Sequence, residues 1–279
     1  MQILINDKPA DITLETEKTL GDVISGIEKW VSSSGNRMQK ICVNGEHIPI
    51  ETLNETFPIE INEIKKLDIF ICPWRELAAE ALGDLYETSL FYENSAFDER
   101  KQILSDWGKS SAARFLNSDI PDIYNLALLA LSGEGISPAQ LNTFLEERLR
   151  EITDPQAELN NSEELVEVTI KRMEELPLDI QTGKDHRASE TVQLFAQIGE
   201  KLFRIYFIFK SEGLFPETFV IDDLSPRSFI EEFNAALKEL SSAYENHDTV
   251  LVGDIAEYEL APRLVKFFTA LKNALKSGS

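Results

Sequence analysis

Lys66-Leu-Asp-Ile-Phe-Ile-Cys72-Pro73-Trp74-Arg75-Glu-Leu-Ala-Ala-Glu-Ala-Leu-Gly-Asp-Leu-Tyr86 is where the chain changes its grammar. Up to Cys72, apolar residues alternate at Leu67, Ile69 and Ile71, the period of a strand. After Pro73 they recur at Leu77, Ala81, Leu82 and Leu85, the three-and-four spacing of one helix face. The residues before this point read as a small strand-rich domain, 1–73. Those after it, 74–279, read as an all-helical domain with a possible sub-division near 153–161.

Working back from the switch, Met1–Ile5 reads as a strand, Asn6-Asp7-Lys8-Pro9 as a turn, and Ala10–Glu15 as a returning strand with Ile12 and Leu14 inward. Thr19 is placed to cap a helix, with Asp22 in its first turn. Leu20, Val23, Ile24, Ile27 and Trp30 then form one apolar stripe. Gln39–Val43 is a third strand, Asn44-Gly45 a strong hairpin signal, and Glu46–Ile50 its return. Lys66–Cys72 closes the set.

This order of strand, strand, helix, strand, short strand, strand resembles the β-grasp, or ubiquitin-like, fold. The resemblance implies that the last strand lies between the first and third. Cys42 and Cys72 would then sit on neighbouring strands, with Cys42, Phe70 and Cys72 on the face away from the helix. The domain continues into Pro73-Trp74-Arg75 rather than ending in di-glycine, so carrier chemistry is excluded and a binding module remains.

Working forward, helices are expected at Arg75–Tyr92, at Asp98–Leu116 with Gly108 as a divider, at Pro121–Leu131 and from Ser137-Pro138 onward. A loop is expected at Asp154–Asn161. Further helices are expected at Ser162–Leu176, ending before Pro177, at His186–Lys210, from Ser225-Pro226, and at Thr249–Lys276 with a kink at Pro262. Gly-Lys, Gly and Ser-Pro punctuation recurs once, at 108–138 and 183–226, so the antiparallel bundle reads either as a duplication or as a recurrence of common helix caps.

Charge sets limits on partners. The chain carries 27 Lys+Arg against 49 Asp+Glu, a net charge of −22, spread over both parts. Binding to phosphates needs clustered cations, so neither nucleic acid nor an anionic membrane is an expected partner. No apolar run approaches the ~20 residues of a membrane span, and the start lacks the features of a signal peptide. A cytoplasmic location is expected. The two cysteines, Cys42 and Cys72, form no CxxC pair and the three histidines are scattered, so no metal, cofactor or disulfide is expected.

The candidate chemistry is thin. Asp185-His186 and His247-Asp248 read as helix junctions rather than acid–base pairs. The densest carboxylate group, Asp254, Glu257 and Glu259, lies in Asp248-Thr-Val-Leu-Val-Gly-Asp-Ile-Ala-Glu-Tyr-Glu-Leu-Ala-Pro262, where Gly253 would allow another helix to come close. That segment, with the Glu17-Lys18-Thr19-Leu20 helix entry and the Gly45 turn, resembles uncharacterised bacterial proteins of largely helical type. The resemblance implies a bacterial cytoplasmic protein and transfers no functional residue.

The expectation is therefore a non-enzymatic protein–protein interaction protein: an adaptor, regulator or chaperone-like bundle, tied to a flagellar or secretion assembly, and able to self-associate. Its tentative partner-binding residues are Phe70 and Trp74 near the junction, and Phe215 and Phe219 in the apolar Leu214–Leu224 connection. The alternative is a ligand-binding or enzymatic pocket formed by Tyr206, Asp254, Glu257 and Tyr258.

Overall fold

A computed structural model describes residues 1–216 and 218–277. Five strands form one mixed sheet: β1 (Gln2–Ile5), β2 (Lys8–Pro9), β3 (Asn36–Val43), β4 (Glu46–Ile48) and β5 (Lys66–Pro73). Their order is β2-β1-β5-β3-β4, so the last strand does lie between the first and third. β5 runs parallel to β1, in the register Ile3–Leu67 and Ile5–Ile69, and antiparallel to β3, where Ile41 faces Ile69. Asn44 and Gly45 both take positive φ, the left-handed pair that a two-residue hairpin demands.

Helix α1 (Leu20–Ser33) packs across this sheet. Thr19 accepts from the Asp22 N–H while the Asp22 carboxylate accepts from the Thr19 N–H, a reciprocal cap. Leu20, Val23, Ile24, Ile27 and Val31 meet Ile41, Val43, Leu67 and Ile69 in a closed core. The short helix α2 (Ile50–Thr56) lies in the connection to β5.

Two expectations fail here. Only Lys8–Pro9 pairs with β1, and Ala10–Leu14 is irregular, not a strand. One further bond, from the Ala10 N–H to the Ile3 carbonyl at 3.0 Å, follows Pro9. Trp30 lies at the edge of the helix stripe, 54% exposed, and Val31 is buried in the core instead.

The rest of the chain is helical: α3 (Trp74–Asn94), α4 (Phe97–Trp107), α5 (Ser111–Asp119), α6 (Pro121–Ser132), α7 (Pro138–Thr153), α8 (Pro155–Asn161), α9 (Glu163–Gln181), α10 (Asp185–Ser211), α11 (Pro226–Glu245), α12 (Thr249–Asp254) and α13 (Ala261–Ser277). The chain divides into two compact units, Met1–Glu146 and Glu147–Ser279. In the first, α3 and α5 pack together on the same side of the chain switch, where the Trp74 ring approaches Phe115 at 6.5 Å and Arg37 of β3 pairs with Asp119 of α5 at 2.7 Å. In the second, α10 is the central helix. Phe195, Phe209, Phe229, Phe233 and Phe267 are all fully buried around it.

Two prolines behave differently from the sequence expectation. Asp154-Pro155 opens the short helix α8 instead of a loop, with the Asp154 carboxylate capping Ala157. Pro177 lies inside α9 and does not end it. Ahead of Pro262, where a kink was expected, a π-helical segment, Ile255–Leu260, interrupts the helix. There the Ala261 N–H reaches the Ala256 carbonyl five residues back, a wider turn that relieves the clash a proline ring brings. The two similarly punctuated stretches also differ. The first folds as α5 and α6, the second as the single 27-residue α10. What they share is helix capping.

Candidate functional site

A groove of about 580 Å³ lies between α1 and the Lys8–Glu17 segment. Its helix wall is built by spacing: Val23, Gly26, Ile27 and Trp30 lie at i, i+3, i+4 and i+7, one face of a helix. A Cβ placed on Gly26 would meet nothing within 4 Å, so the glycine sets the depth of the groove there. The opposite wall carries Ile12, 36% exposed, and Leu14, which packs on the domain core.

The charged groups in this lining are Lys8, Asp11 and Glu17. The Glu17 carboxylate accepts from the Glu15 and Thr16 N–H groups at 2.9 and 3.0 Å, and its own backbone N–H first, then those of Thr16 and Glu15, hold its pKa below the usual carboxylate range. It thereby fixes the end of the irregular wall. Between Asp11 and Leu14, no backbone N–H or C=O makes a hydrogen bond to another described residue. The groove thus combines apolar side chains with unpaired peptide groups, a composition suited to holding a ligand. Among the described residues there is no group of three or more His, Cys, Asp or Glu able to hold a metal ion. Nor is any described helix long and apolar enough to cross a membrane.

The residues singled out in the sequence are distributed otherwise. Phe70 is half-buried, with the Lys40 ammonium 5.5 Å from its ring. Trp74 is half-buried against Phe115. Phe215 and Phe219 stack on each other at 4.4 Å and pack on the second unit's core, with Phe215 stacked on Tyr206 at 5.2 Å. Phe215 and Phe219 are therefore folded onto the core, while Leu214 and Val220 of the same connection are 45% and 50% exposed and Glu217 lies outside the described residues. Tyr206 is 2% exposed, and burial raises the pKa of its phenol. Asp254, Glu257 and Tyr258 face solvent, and the hydrogen bond to Glu257 raises the Tyr258 pKa. Tyr206 is inside and the other three are outside, so the four do not form one pocket lining.

A buried ionic network escaped the sequence reading. Glu151 of α7, 1% exposed, receives two bonds from Arg204 of α10 at 2.8 and 2.9 Å and one from Arg148 at 3.0 Å. Next to it, Lys201 bonds Glu158 of α8 at 2.8 Å and Glu147 at 3.3 Å. Burial pushes the Glu151 carboxyl up to about 7, opposed by Arg148 and reinforced by Glu147. Burial works against the Lys201 ammonium, but the bond to Glu158 and the surrounding carboxylates outweigh it and raise its pKa. One signal was available in the sequence: Arg204 interrupts the most apolar helix. A cation there must bring its counter-charge with it.

With this geometry in place, the comparisons can be set beside it. Residues 1–73 match the family described as the TP0873 N-terminal domain, and residues 158–270 match a domain of unknown function, DUF8042. The chain thus joins a mixed sheet-and-helix domain to a large helical region that contains that second domain. No curated protein and no solved structure matches the chain.

Proposed function

We propose that the chain is a non-enzymatic interaction protein, an adaptor, regulator or chaperone-like component, that holds a protein partner in the groove between α1 and Lys8–Glu17. The observation that carries this reading is Trp30. A tryptophan on the helix stripe, 54% exposed at the rim of an apolar concavity, is the type of anchor that dominates binding energy at protein interfaces. The strand order β2-β1-β5-β3-β4 supports a β-grasp reading of the domain, and that fold serves as a binding module. A cytoplasmic setting and an assembly or export component as partner belong to the same reading.

Crosslinking in cells followed by mass spectrometry tests it on the full chain. Lys8 lines the groove and Lys29 neighbours Trp30, so partner crosslinks are expected at these two lysines and should be lost in Trp30→Asp. Partner crosslinks confined to the helical parts, or none above background under several growth conditions, would overturn the assignment.

A further inference from the structure

We infer that the groove takes an extended apolar segment of another protein, flanked by lysine or arginine, which adds to the Asp11–Leu14 segment by backbone hydrogen bonding. This deepens the interaction reading above and rests on it. The wall of the groove is a stretch of chain beyond the edge strand whose peptide groups have no partner among the described residues. Pairing with β1 ends at Ala10, whose N–H bonds the Ile3 carbonyl at 3.0 Å, although the apolar alternation continues to Ile12 and Leu14. A row of free N–H and C=O groups is satisfied best by another backbone, and an extended segment supplies donors and acceptors at the same repeat.

Side chains of such a segment alternate between faces. One set would enter the groove over Gly26 and against Trp30, and the other would face water. An α-helical ligand would fill the concavity but leave the Asp11–Leu14 peptide groups unpaired. Charge selects the flanks. Asp11 and Glu17 outnumber Lys8 in the lining, and the chain carries a net charge of −22, so cationic ends are drawn in and acidic ones repelled.

The test is a selection of displayed random peptides, about a dozen residues long, on the immobilised full chain, followed by titration of the enriched sequences. Enriched peptides should show apolar residues at every second position with Lys or Arg at the ends. Hydrogen exchange should slow at Asp11–Leu14 when they bind, and N-methylation at alternate peptide nitrogens should abolish binding. Gly26→Leu should weaken binding by about tenfold or more. This variant fills open space and replaces a helical glycine, so misfolding does not explain the loss. No enrichment over bare matrix, enrichment of three-and-four helical spacing, or affinity unchanged in Gly26→Leu overturns strand addition. If crosslinked partners persist at Lys8 and Lys29 despite such a result, the interaction reading stands and only strand addition falls. If no partner crosslinks at all, both fall.

Discussion

Glu151 shows how much one buried carboxylate can govern. Its two parallel bonds from Arg204 and one from Arg148 satisfy both oxygens inside the second unit, where water cannot. Truncation by Glu151→Ala leaves Arg204 only the exposed Glu200 at 3.8 Å, a loss expected to cost about 3–5 kcal/mol in urea unfolding. The isosteric Glu151→Gln isolates the titration. Burial lifts the folded pKa to about 7 from the ordinary 4.5, so the folded state binds the proton more tightly than the unfolded chain. Stability from this group is therefore fully present below the unfolded value. It falls as pH rises, and is gone above about 7, a loss of up to about 3 kcal/mol. Gln mimics the protonated acid and does not titrate. The stability of Glu151→Gln minus that of wild type should rise between pH 4.5 and 7 and then level. A flat difference would show that the arginines hold Glu151 ionised throughout.

At the scale of elements, α9 and α12 meet where sequence rules suggested a break. Pro177 stays within α9, and its ring lies over Gly253 of α12. A Cβ at Gly253 would come within 3.0 Å of the Pro177 Cγ. Gly253→Ala gains about 1 kcal/mol of helix propensity but forces this contact apart, for an expected net loss of about 1–2 kcal/mol in thermal unfolding. Adding Pro177→Ala should return most of that loss, because the obstructing ring is gone. A double variant no more stable than the single would place the strain elsewhere. The close approach itself was legible, since a glycine between apolar neighbours in a helix has little other use. The persistence of α9 through Pro177 was not, because packing compensates for a lost hydrogen bond only when the neighbouring helix is known. The same division holds across the chain. Caps at Thr19, Ser225 and Asp248, and the strand alternation around Leu67 and Ile69, are local and could be read directly. The irregular Asp11–Leu14 wall, and with it the groove, depends on where the chain leaves β1 after the Ala10–Ile3 bond, and alternation of Ile12 and Leu14 pointed to a strand instead. Trp30 had the right spacing for the core, and only the volume available beneath α1 decides that Val31 enters and Trp30 does not.

For the molecule as a whole, charge and packing make opposite demands. Aromatic rings give the second unit a dense interior: Phe233 stacks on Phe195 at 5.6 Å and meets Phe203 edge-on at 5.2 Å. Around such cores the surface carries most of 49 carboxylates against 27 cations, and folding brings them closer together than the unfolded chain does. Self-repulsion of that kind lowers stability and is screened by salt, because the Debye length shrinks from about 30 Å at 0.01 M to about 8 Å at 0.15 M. The buried Glu151–Arg204 and Lys201–Glu158 pairs are shielded from solvent ions and are affected much less. The melting temperature should therefore rise between 0.01 and about 0.3 M sodium chloride, equally in potassium chloride. The affinity for a cation-flanked peptide should fall over the same range, since the field that destabilises the fold is the one that draws the peptide in. Opposite slopes in one titration series are the signature of a common electrostatic origin. A melting temperature that falls with salt would mean that surface ion pairs such as Lys266–Asp222, at 2.7 Å, outweigh the net repulsion. Peptide affinity independent of salt would mean that the apolar groove alone selects its ligand.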